Sequence, residues 1–263
     1  MNSYSSATAA VSLPDWSNAV EVAASVSAMK ERGVYGFDGI DPRSRSFNLI
    51  RSRLIDFQRK RGARLFGVVS ATPRVGKSFV AGNLAAALSR NPRFRTTLID
   101  LDLRRGSVSL LFGLEREGTL LDWLAGEGND PALAAFRIEG EALTIVPTQA
   151  RLVQSSELLS GKRALSLFEA MRHGDASSLF IVDLPPAFAN DDASIVLSRL
   201  DAYVLVAEEG KTTKRELTDV IGMLGQDRLA GVVLNKYRGG LVSDGYGVAD
   251  YYGGNYGATA PVE

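Results

Sequence analysis

The chain has 263 residues, with 30 Lys and Arg against 30 Asp and Glu, one His and no Cys. The length fits one or two domains, and the zero net charge excludes a protein whose overall charge drives binding to nucleic acids or membranes, although a local patch could still do so. The lack of Cys excludes disulfides and thiolate metal sites, and the single His173 leaves little for a His-based zinc site or a Ser-His-Asp triad.

The sequence gives no sign of a membrane-spanning helix or a secretory signal. No apolar run reaches the ~18 residues that a bilayer span requires. The N-terminus lacks a basic start followed by an apolar stretch. We therefore expect a cytoplasmic protein.

The N-terminal part of the chain contains no clear strand. Residues 1–40 are rich in Ala, Ser and Val, and we predict a loosely ordered arm there, with at most a short helix near residues 18–32. Residues 44–60 place Phe47, Ile50, Leu54 and Phe57 at spacings of three, four and three, which predicts an amphipathic helix.

From Leu65 onward, short apolar runs alternate with helical stretches. This alternation is typical of an α/β domain with a mainly parallel sheet flanked by helices on both faces. We predict strands at residues 65–70, 96–100, 143–147, 178–183, 202–207 and 231–235, and helices near 77–90, 118–125, 156–173, 191–199 and 213–225.

The run ATPRVGKS, residues 71–78, lies between a predicted strand and a predicted helix. This placement predicts a phosphate-binding loop, because backbone N–H groups and the helix dipole favour anions there. We expect Lys77 to reach the β- and γ-phosphates and the Ser78 hydroxyl to bind Mg²⁺. Ala71 replaces the usual first glycine, Arg74 could contact phosphate or face solvent, and VGKS could alternatively be only a turn and a helix start. The candidate nucleotide-binding residues of the loop are Pro73, Arg74, Val75, Gly76, Lys77, Ser78 and Phe79.

Three acidic residues end predicted strands, namely Asp100, Asp102 and Asp183. Ligands of open α/β sheets bind outside the carboxyl ends of the strands. Because Mg²⁺ takes few direct carboxylates and keeps several waters, we expect Ser78, Asp102 and Asp183 to hold it. Asp100 could orient a phosphoryl acceptor or accept its proton. The alternative is that each aspartate only caps a helix or lies in a surface turn.

ATPRVGKS, LIDLDLRR and FIVDLPP, in this order, resemble the bacterial tyrosine kinases of capsule and exopolysaccharide synthesis. These belong to the deviant-Walker P-loop group, with the septum-site and plasmid-partitioning ATPases. SSELLSGKR, GVVLNKY and a Tyr-rich tail also match, so the resemblance covers roughly residue 41 to the C-terminus. It implies a single P-loop NTPase domain over 41–238, ATP or ADP and Mg²⁺ as cofactors, catalytic roles for Lys77, Asp100 and Asp102, and adenine contact near Asn235.

The tail, residues 239–263, is predicted to be flexible, since residues 239–257 hold seven Gly and four Tyr. Such a segment could be a sticky interaction segment. The resemblance instead implies autophosphorylation, with the phosphoacceptor candidates Tyr246, Tyr251, Tyr252 and Tyr256.

Thr72 helps to separate the branches of this group. The septum-site and partitioning ATPases carry a signature lysine at this position, so Thr72 argues against a spatial-positioning ATPase that shares that lysine across a dimer. A second alternative is a catalytically weak or inactive nucleotide switch that scaffolds the same polysaccharide machinery. The main interpretation remains a protein-tyrosine autokinase that regulates polymerisation and export of an exopolysaccharide or capsule.

The resemblance also implies partners. Family members work with a membrane-embedded chain-length, or co-polymerase, protein, which we expect here as a separate chain that recruits this one to the inner face of the membrane. Family rings use an E-x-x-R-x-x-R helix, but the matching positions are Arg45, Asn48 and Arg51, so we expect no closed ring through residues 45–51.

The stretch 43–64 holds eight basic residues and one acidic residue. It is interpreted first as a solvated helix face and second as a contact for an acidic partner or a membrane surface. We expect no nucleic-acid binding, because no aromatic residues are interleaved with the basic ones along an obvious groove.

Overall fold

The computed structural model describes residues 16, 19–23, 25–114, 120–126, 135–149 and 154–237. These residues form one eight-stranded sheet with helices on both faces. The strands are β1 (Val20–Val22), β2 (Leu65–Ser70), β3 (Arg95–Asp100), β4 (Phe136–Ile138), β5 (Leu143–Val146), β6 (Ser178–Asp183), β7 (Ala202–Glu208) and β8 (Leu229–Asn235). The helices are α1 (Val26–Glu31), α2 (Arg45–Arg61), α3 (Lys77–Ser89), α4 (Val108–Phe112), α5 (Leu120–Ala125), α6 (Ser155–Ser160), α7 (Lys162–His173), α8 (Asp192–Leu197) and α9 (Lys214–Leu224).

The order of strands across the sheet is β1-β4-β5-β3-β6-β2-β7-β8. From β5 to β8 all neighbours are parallel, whereas β4 runs antiparallel to β5 and β1 runs parallel to β4. The prediction of a mainly parallel α/β sheet is therefore confirmed. The two strands β1 and β4 were not predicted, because three residues are too short to establish a period.

The central strands are apolar on both sides and separate two cores. Phe66, Val68 and Val204 point to the face covered by α2 and α3, and Leu65, Val69 and Tyr203 point to the opposite face. This arrangement explains the near-continuous apolar runs, because both faces of a parallel sheet are covered. It also brings the carboxyl ends of β2, β3 and β6 together at one edge of the sheet.

Part of the predicted N-terminal arm is packed against α3, which corrects the expectation of loose order over residues 1–40. α1 and the segment after it bury Met29, Val34 and Phe37 in the first core. The buried Asn83 accepts hydrogen bonds from the backbone N–H groups of Tyr35 and Gly36. Apolar residues spaced without a period anchor this segment, so a periodicity argument missed it.

Two further differences concern helices. The single helix predicted near residues 156–173 is divided into α6 and α7 at Gly161, which has an extended backbone. The short helix α4 was not predicted. Within the described residues, no helix is both long and apolar enough to cross a bilayer. The tail of residues 239–263 and residues 1–15 of the predicted arm lie outside the described residues.

Candidate nucleotide-binding site

The loop between β2 and α3 has an unusual backbone conformation. Arg74 and Gly76 both have positive φ, 67° and 92°. Only glycine fits at position 76, since a Cβ there would lie 2.1 Å from Nδ2 of Asn235. The Nδ2 group of Asn235 donates a hydrogen bond of 2.8 Å to the carbonyl of Val75. The loop is thus a compact turn that ends at the N-terminus of a 13-residue helix, where anions are favoured.

The first residues of α3 face the acidic edge of the sheet. Lys77 is buried, and its Nζ lies 3.4 Å from Oδ2 of Asp102. The hydroxyl of Ser78 donates to Oδ2 of Asp183 and lies 2.6 Å from the hydroxyl oxygen of Ser107. These contacts place the lysine and the hydroxyl at the carboxyl ends of β3 and β6.

The other loop residues differ in their surroundings. Pro73 and Arg74 are exposed, and Val75 is buried in the first core. The ring of Phe79 packs against Tyr35 and Phe47, with ring centroids 6.2 and 5.8 Å away. The side chain of Phe79 therefore packs in the core. Only its backbone N–H could donate a hydrogen bond to a phosphate.

Asp100 and Asp183 are direct neighbours across the β3–β6 pair. Asp100 is fully buried and accepts hydrogen bonds from the backbone N–H groups of Asp102, at 3.0 Å, and Val108, at 3.1 Å. Burial and the charge of Asp183 raise the pKa of Asp100 well above its ordinary value, although the hydrogen bond from Val108 opposes this effect. Asp100 thus orders the loop after β3 and is prone to hold a proton.

Asp183 has the chemistry expected of a metal-site carboxylate. Its Oδ1 is buried and has no hydrogen-bond partner. Burial raises its pKa to about 6, although the charge of Lys77 and the hydrogen bond from Ser78 act in the opposite direction. A buried carboxylate oxygen without a partner is costly unless a ligand completes it. This oxygen, the Ser78 hydroxyl and Asp102 form a set of hard oxygen donors that suits Mg²⁺.

The described residues contain no group of three or more His, Cys, Asp or Glu side chains that could hold a metal ion by themselves. Mg²⁺ that is bound together with a nucleotide takes one or two carboxylates and completes its coordination with waters and phosphate oxygens.

The structure brings together five of the predicted site residues, namely Lys77, Ser78, Asp100, Asp102 and Asp183, and places Asn235 against the loop. The four candidate phosphoacceptor tyrosines lie outside the described residues. Sequence reasoning missed Ser107, Lys236 and the pair of Arg104 with the buried Asp192, whose Nε and Oδ2 atoms lie 3.6 Å apart. The GSVS run could have indicated a helix start at Ser107, but nothing local indicates its contact with Ser78.

The chain is similar to bacterial tyrosine-protein kinases and to a polysaccharide biosynthesis transport protein. Tyrosine-protein kinase Etk of Escherichia coli K12 is 34% identical over 172 residues, which are 64% of this chain and 23% of Etk. The succinoglycan biosynthesis transport protein ExoP of Rhizobium meliloti is 32% identical over 181 residues, 66% of this chain and 22% of ExoP. The chain thus corresponds to less than a quarter of the length of these two relatives.

Solved structures support the same relationship. The kinase domain of Escherichia coli Etk superposes with a TM-score of 0.64 at 28% identity, covering 76% of this chain and 80% of that domain. The septum-site protein MinD of Pyrococcus horikoshii, solved with Mg-ADP, shares the fold with a TM-score of 0.56 at 21% identity, covering 66% of this chain and 71% of MinD. Residues 66–246 match the family described as the CobQ/CobB/MinD/ParA nucleotide binding domain, and the chain belongs to this family.

Proposed function

We propose that this chain carries the catalytic domain of an ATP- and Mg²⁺-dependent protein-tyrosine kinase that regulates the polymerisation and export of an extracellular polysaccharide. The observation that carries the proposal is the meeting of Lys77, Ser78 and three strand-end aspartates at one edge of the sheet. The similarity to tyrosine kinase Etk and to a succinoglycan transport protein supports the reaction and the biological setting.

Lys77 and the loop are assigned to the phosphates. The buried ammonium group of Lys77 is already held beside Asp102, so it needs little reorganisation to neutralise phosphate charge. The backbone N–H groups at the start of α3 supply further donors. Asn235, next to the loop, is assigned to the adenine base.

Ser78, Asp102 and Asp183 are assigned to Mg²⁺. When bound, the metal would offset negative charge on the transferred phosphoryl group. The Ser78 hydroxyl donates its hydrogen to Asp183, and its oxygen keeps lone pairs that it can offer to a cation. The hydroxyl of Ser107, 2.6 Å from that of Ser78, is a second hydrogen-bond partner for the Ser78 hydroxyl.

Asp100 is assigned to the acceptor tyrosine. A phenol has an ordinary pKa of about 10 and needs a partner that orients it and takes its proton near pH 7. A raised pKa makes the Asp100 carboxylate, once it has lost its own proton, a stronger base than an ordinary aspartate. Both of its oxygens accept a backbone hydrogen bond, and each keeps a further lone pair for the phenol.

The basic stretch 43–64 gives little support to a contact with an acidic membrane. Arg51 and Arg53 donate to the carbonyls of Ala87 and Ala230, and Arg61 donates to Asp227. The arginines therefore bind elements of the same molecule. Recruitment to the membrane is proposed to depend on a chain-length, or co-polymerase, protein of the polysaccharide machinery.

The expected absence of a ring through residues 45–51 also gains support. Asn48 accepts a hydrogen bond from Arg90, and Arg51 contacts the end of α3. Asn48 and Arg51 are thus engaged within the molecule.

The test is a phosphorylation assay of the purified protein with labelled ATP, with and without the cytoplasmic part of a candidate membrane partner. Phosphotyrosine in the wild type and none in the Lys77→Met variant is the expected result. If the wild type binds ATP but never acquires phosphotyrosine with its partner present, the kinase proposal is wrong and a nucleotide switch replaces it.

A further inference from the structure

Two consecutive residues at the end of β8 bind two consecutive carbonyls of the phosphate-binding loop. Asn235 donates from Nδ2 to the carbonyl of Val75, at 2.8 Å. Lys236 donates from Nζ to the carbonyl of Arg74, at 2.7 Å. Side chains that lie about 160 positions away in the sequence thus hold the loop through hydrogen bonds to its carbonyls.

The direction of these hydrogen bonds fixes the direction of the loop N–H groups. In a planar trans peptide the C=O and the following N–H point to opposite sides. Because the Arg74 carbonyl turns toward Lys236, the N–H of Val75 turns away from it. By the same geometry, the bond from Asn235 turns the N–H of Gly76 away from β8. Both N–H groups therefore face the side of the loop opposite to β8, where they are available to phosphate oxygens.

The hydrogen bonds from Asn235 and Lys236 hold the loop backbone in a conformation that is unfavourable in itself. Arg74 has φ 67° and Lys236 has φ 56°, and they are the two residues other than glycine with positive φ in the described part of the chain. Such conformations are disfavoured for residues with a Cβ and persist where the surroundings hold them. The bond between Lys236 and Arg74 joins these two strained residues directly.

Glu208 anchors the lysine. It ends β7 directly opposite Asn235, and its Oε2 lies 3.1 Å from Nζ of Lys236. Burial disfavours its charge, but hydrogen bonds from Lys236 and Lys211 outweigh this and keep its pKa below the ordinary value. Lys211 lies 3.3 Å from the same oxygen. Of these two lysines, Lys236 is the one that donates a hydrogen bond to the phosphate-binding loop.

We propose that Lys236 is a positioning residue of the nucleotide site, which, anchored by Glu208, holds the Arg74 carbonyl outward so that the N–H groups of the loop face the phosphates. This inference rests on the proposed nucleotide binding at this loop. Lys236 contacts the loop at the Arg74 carbonyl, on the side opposite to the N–H groups proposed to meet the phosphates. It therefore acts through the backbone of Arg74 and Val75.

The two lysines on Glu208 provide a matched pair of variants. Both pair with the same oxygen and are equally exposed, 47% each, but only Lys236 reaches the loop. Calorimetric titration with ADP in EDTA measures the phosphate contacts without the metal. We expect Lys236→Met to weaken binding by about tenfold. Lys211→Met should bind like the wild type, and Lys236→Arg should restore most of the affinity.

Thermal unfolding without nucleotide separates positioning from general stability. The unfolding midpoints of Lys236→Met and Lys211→Met are expected to agree. Equal ADP affinities of these two variants would overturn the inference while leaving the nucleotide site in place. The inference would also be overturned if Lys236→Met lost ADP affinity together with a lower unfolding midpoint. The same holds if Lys236→Arg failed to restore the affinity. No ADP binding by the wild type would overturn the proposed function and this inference with it.

Discussion

The ammonium nitrogen of Lys77 lies 3.4 Å from Oδ2 of Asp102, and both side chains are almost completely buried. The lysine thus balances negative charge at the strand-end aspartates. A bound phosphate would compete with Asp102 for the same ammonium group. The pair keeps Lys77 oriented in the site before the nucleotide arrives, which lowers the cost of reorganisation on binding.

Replacing Lys77 by Met is expected to weaken ADP binding by at least about a hundredfold, because charge-assisted contacts to phosphate in a dehydrated site are worth several kcal/mol. Calorimetric titration with ADP and Mg²⁺ measures the loss. Lys162→Met, at the exposed start of α7, is the control and should bind normally. Unchanged affinity in Lys77→Met would mean that the phosphates bind elsewhere.

The fold and the candidate site could be predicted from the sequence where the physical signals are local. The six longer strands, the loop with Lys77 and the strand-end aspartates all follow from apolar runs and one motif. The sequence did not predict residues that act through contacts distant along the chain. Lys236, for example, donates a hydrogen bond to Arg74, which lies 162 positions away. Short elements such as β1, β4 and α4 form because neighbours already packed offer them hydrogen bonds and apolar surface, which no local pattern encodes.

The variant Asp183→Asn distinguishes the contribution of Mg²⁺ to ADP affinity from the contribution of the direct contacts with the nucleotide. The carboxylate accepts a hydrogen bond from Ser78, one of the proposed Mg²⁺ donors, and is not one of the groups proposed to bind phosphate. We expect the variant to lose most of the gain in ADP affinity that Mg²⁺ gives the wild type. Its affinity in EDTA should stay close to that of the wild type. Equal losses in Mg²⁺ and in EDTA would indicate a folding defect or a different role.

The same carboxyl predicts a pH effect on the stability of the free protein. Its pKa rises from an ordinary value of 3.8 to about 6 on folding. The folded state therefore binds more protons than the unfolded state, and stability falls as the pH rises through this range. From pH 4 to pH 7 the wild type should lose about 2 kcal/mol of unfolding free energy relative to Asp183→Asn.

Urea unfolding in EDTA, without nucleotide, at several pH values measures this difference. The comparison with the variant cancels the shared groups that Asp183 does not influence. Asp100 is not one of them, because the charge of Asp183 contributes to its raised pKa. If the two stability curves run parallel from pH 4 to pH 7, the pKa of Asp183 is not raised in the folded protein.

Two glycine-to-alanine changes test the packing of the N-terminal segment on α3. A Cβ on Gly36 would lie 2.1 Å from the carbonyl oxygen of Asn83, whereas a Cβ on Gly222 in α9 meets nothing within 4 Å. Gly36→Ala should cost about 2 kcal/mol or more, because the segment must separate from the helix. Gly222→Ala should stabilise by roughly 0.5–1 kcal/mol, since alanine favours helices. Equal stabilities in urea unfolding would mean that residues 33–37 do not pack on α3.

The last prediction concerns the tail, whose four tyrosines, Tyr246, Tyr251, Tyr252 and Tyr256, follow β8 in the sequence. If the chain is a kinase, these residues should acquire phosphate, and transfer should occur between molecules. Asp100→Asn should lower phosphorylation more than ADP affinity, because the carboxylate acts on the phenol and not on the nucleotide. Phosphopeptide mapping after incubation with ATP and the activating partner identifies the modified residues.

A mixture of two variants decides between transfer within and between molecules. One variant is the full chain with Lys77→Met, which cannot bind ATP productively, and the other has an intact site but lacks residues 239–263. Only the first offers a tail and only the second offers a working site, so phosphotyrosine on the Lys77→Met chain can arise only by transfer between molecules. Phosphotyrosine in the wild type but none in the mixture would show that each site modifies its own tail.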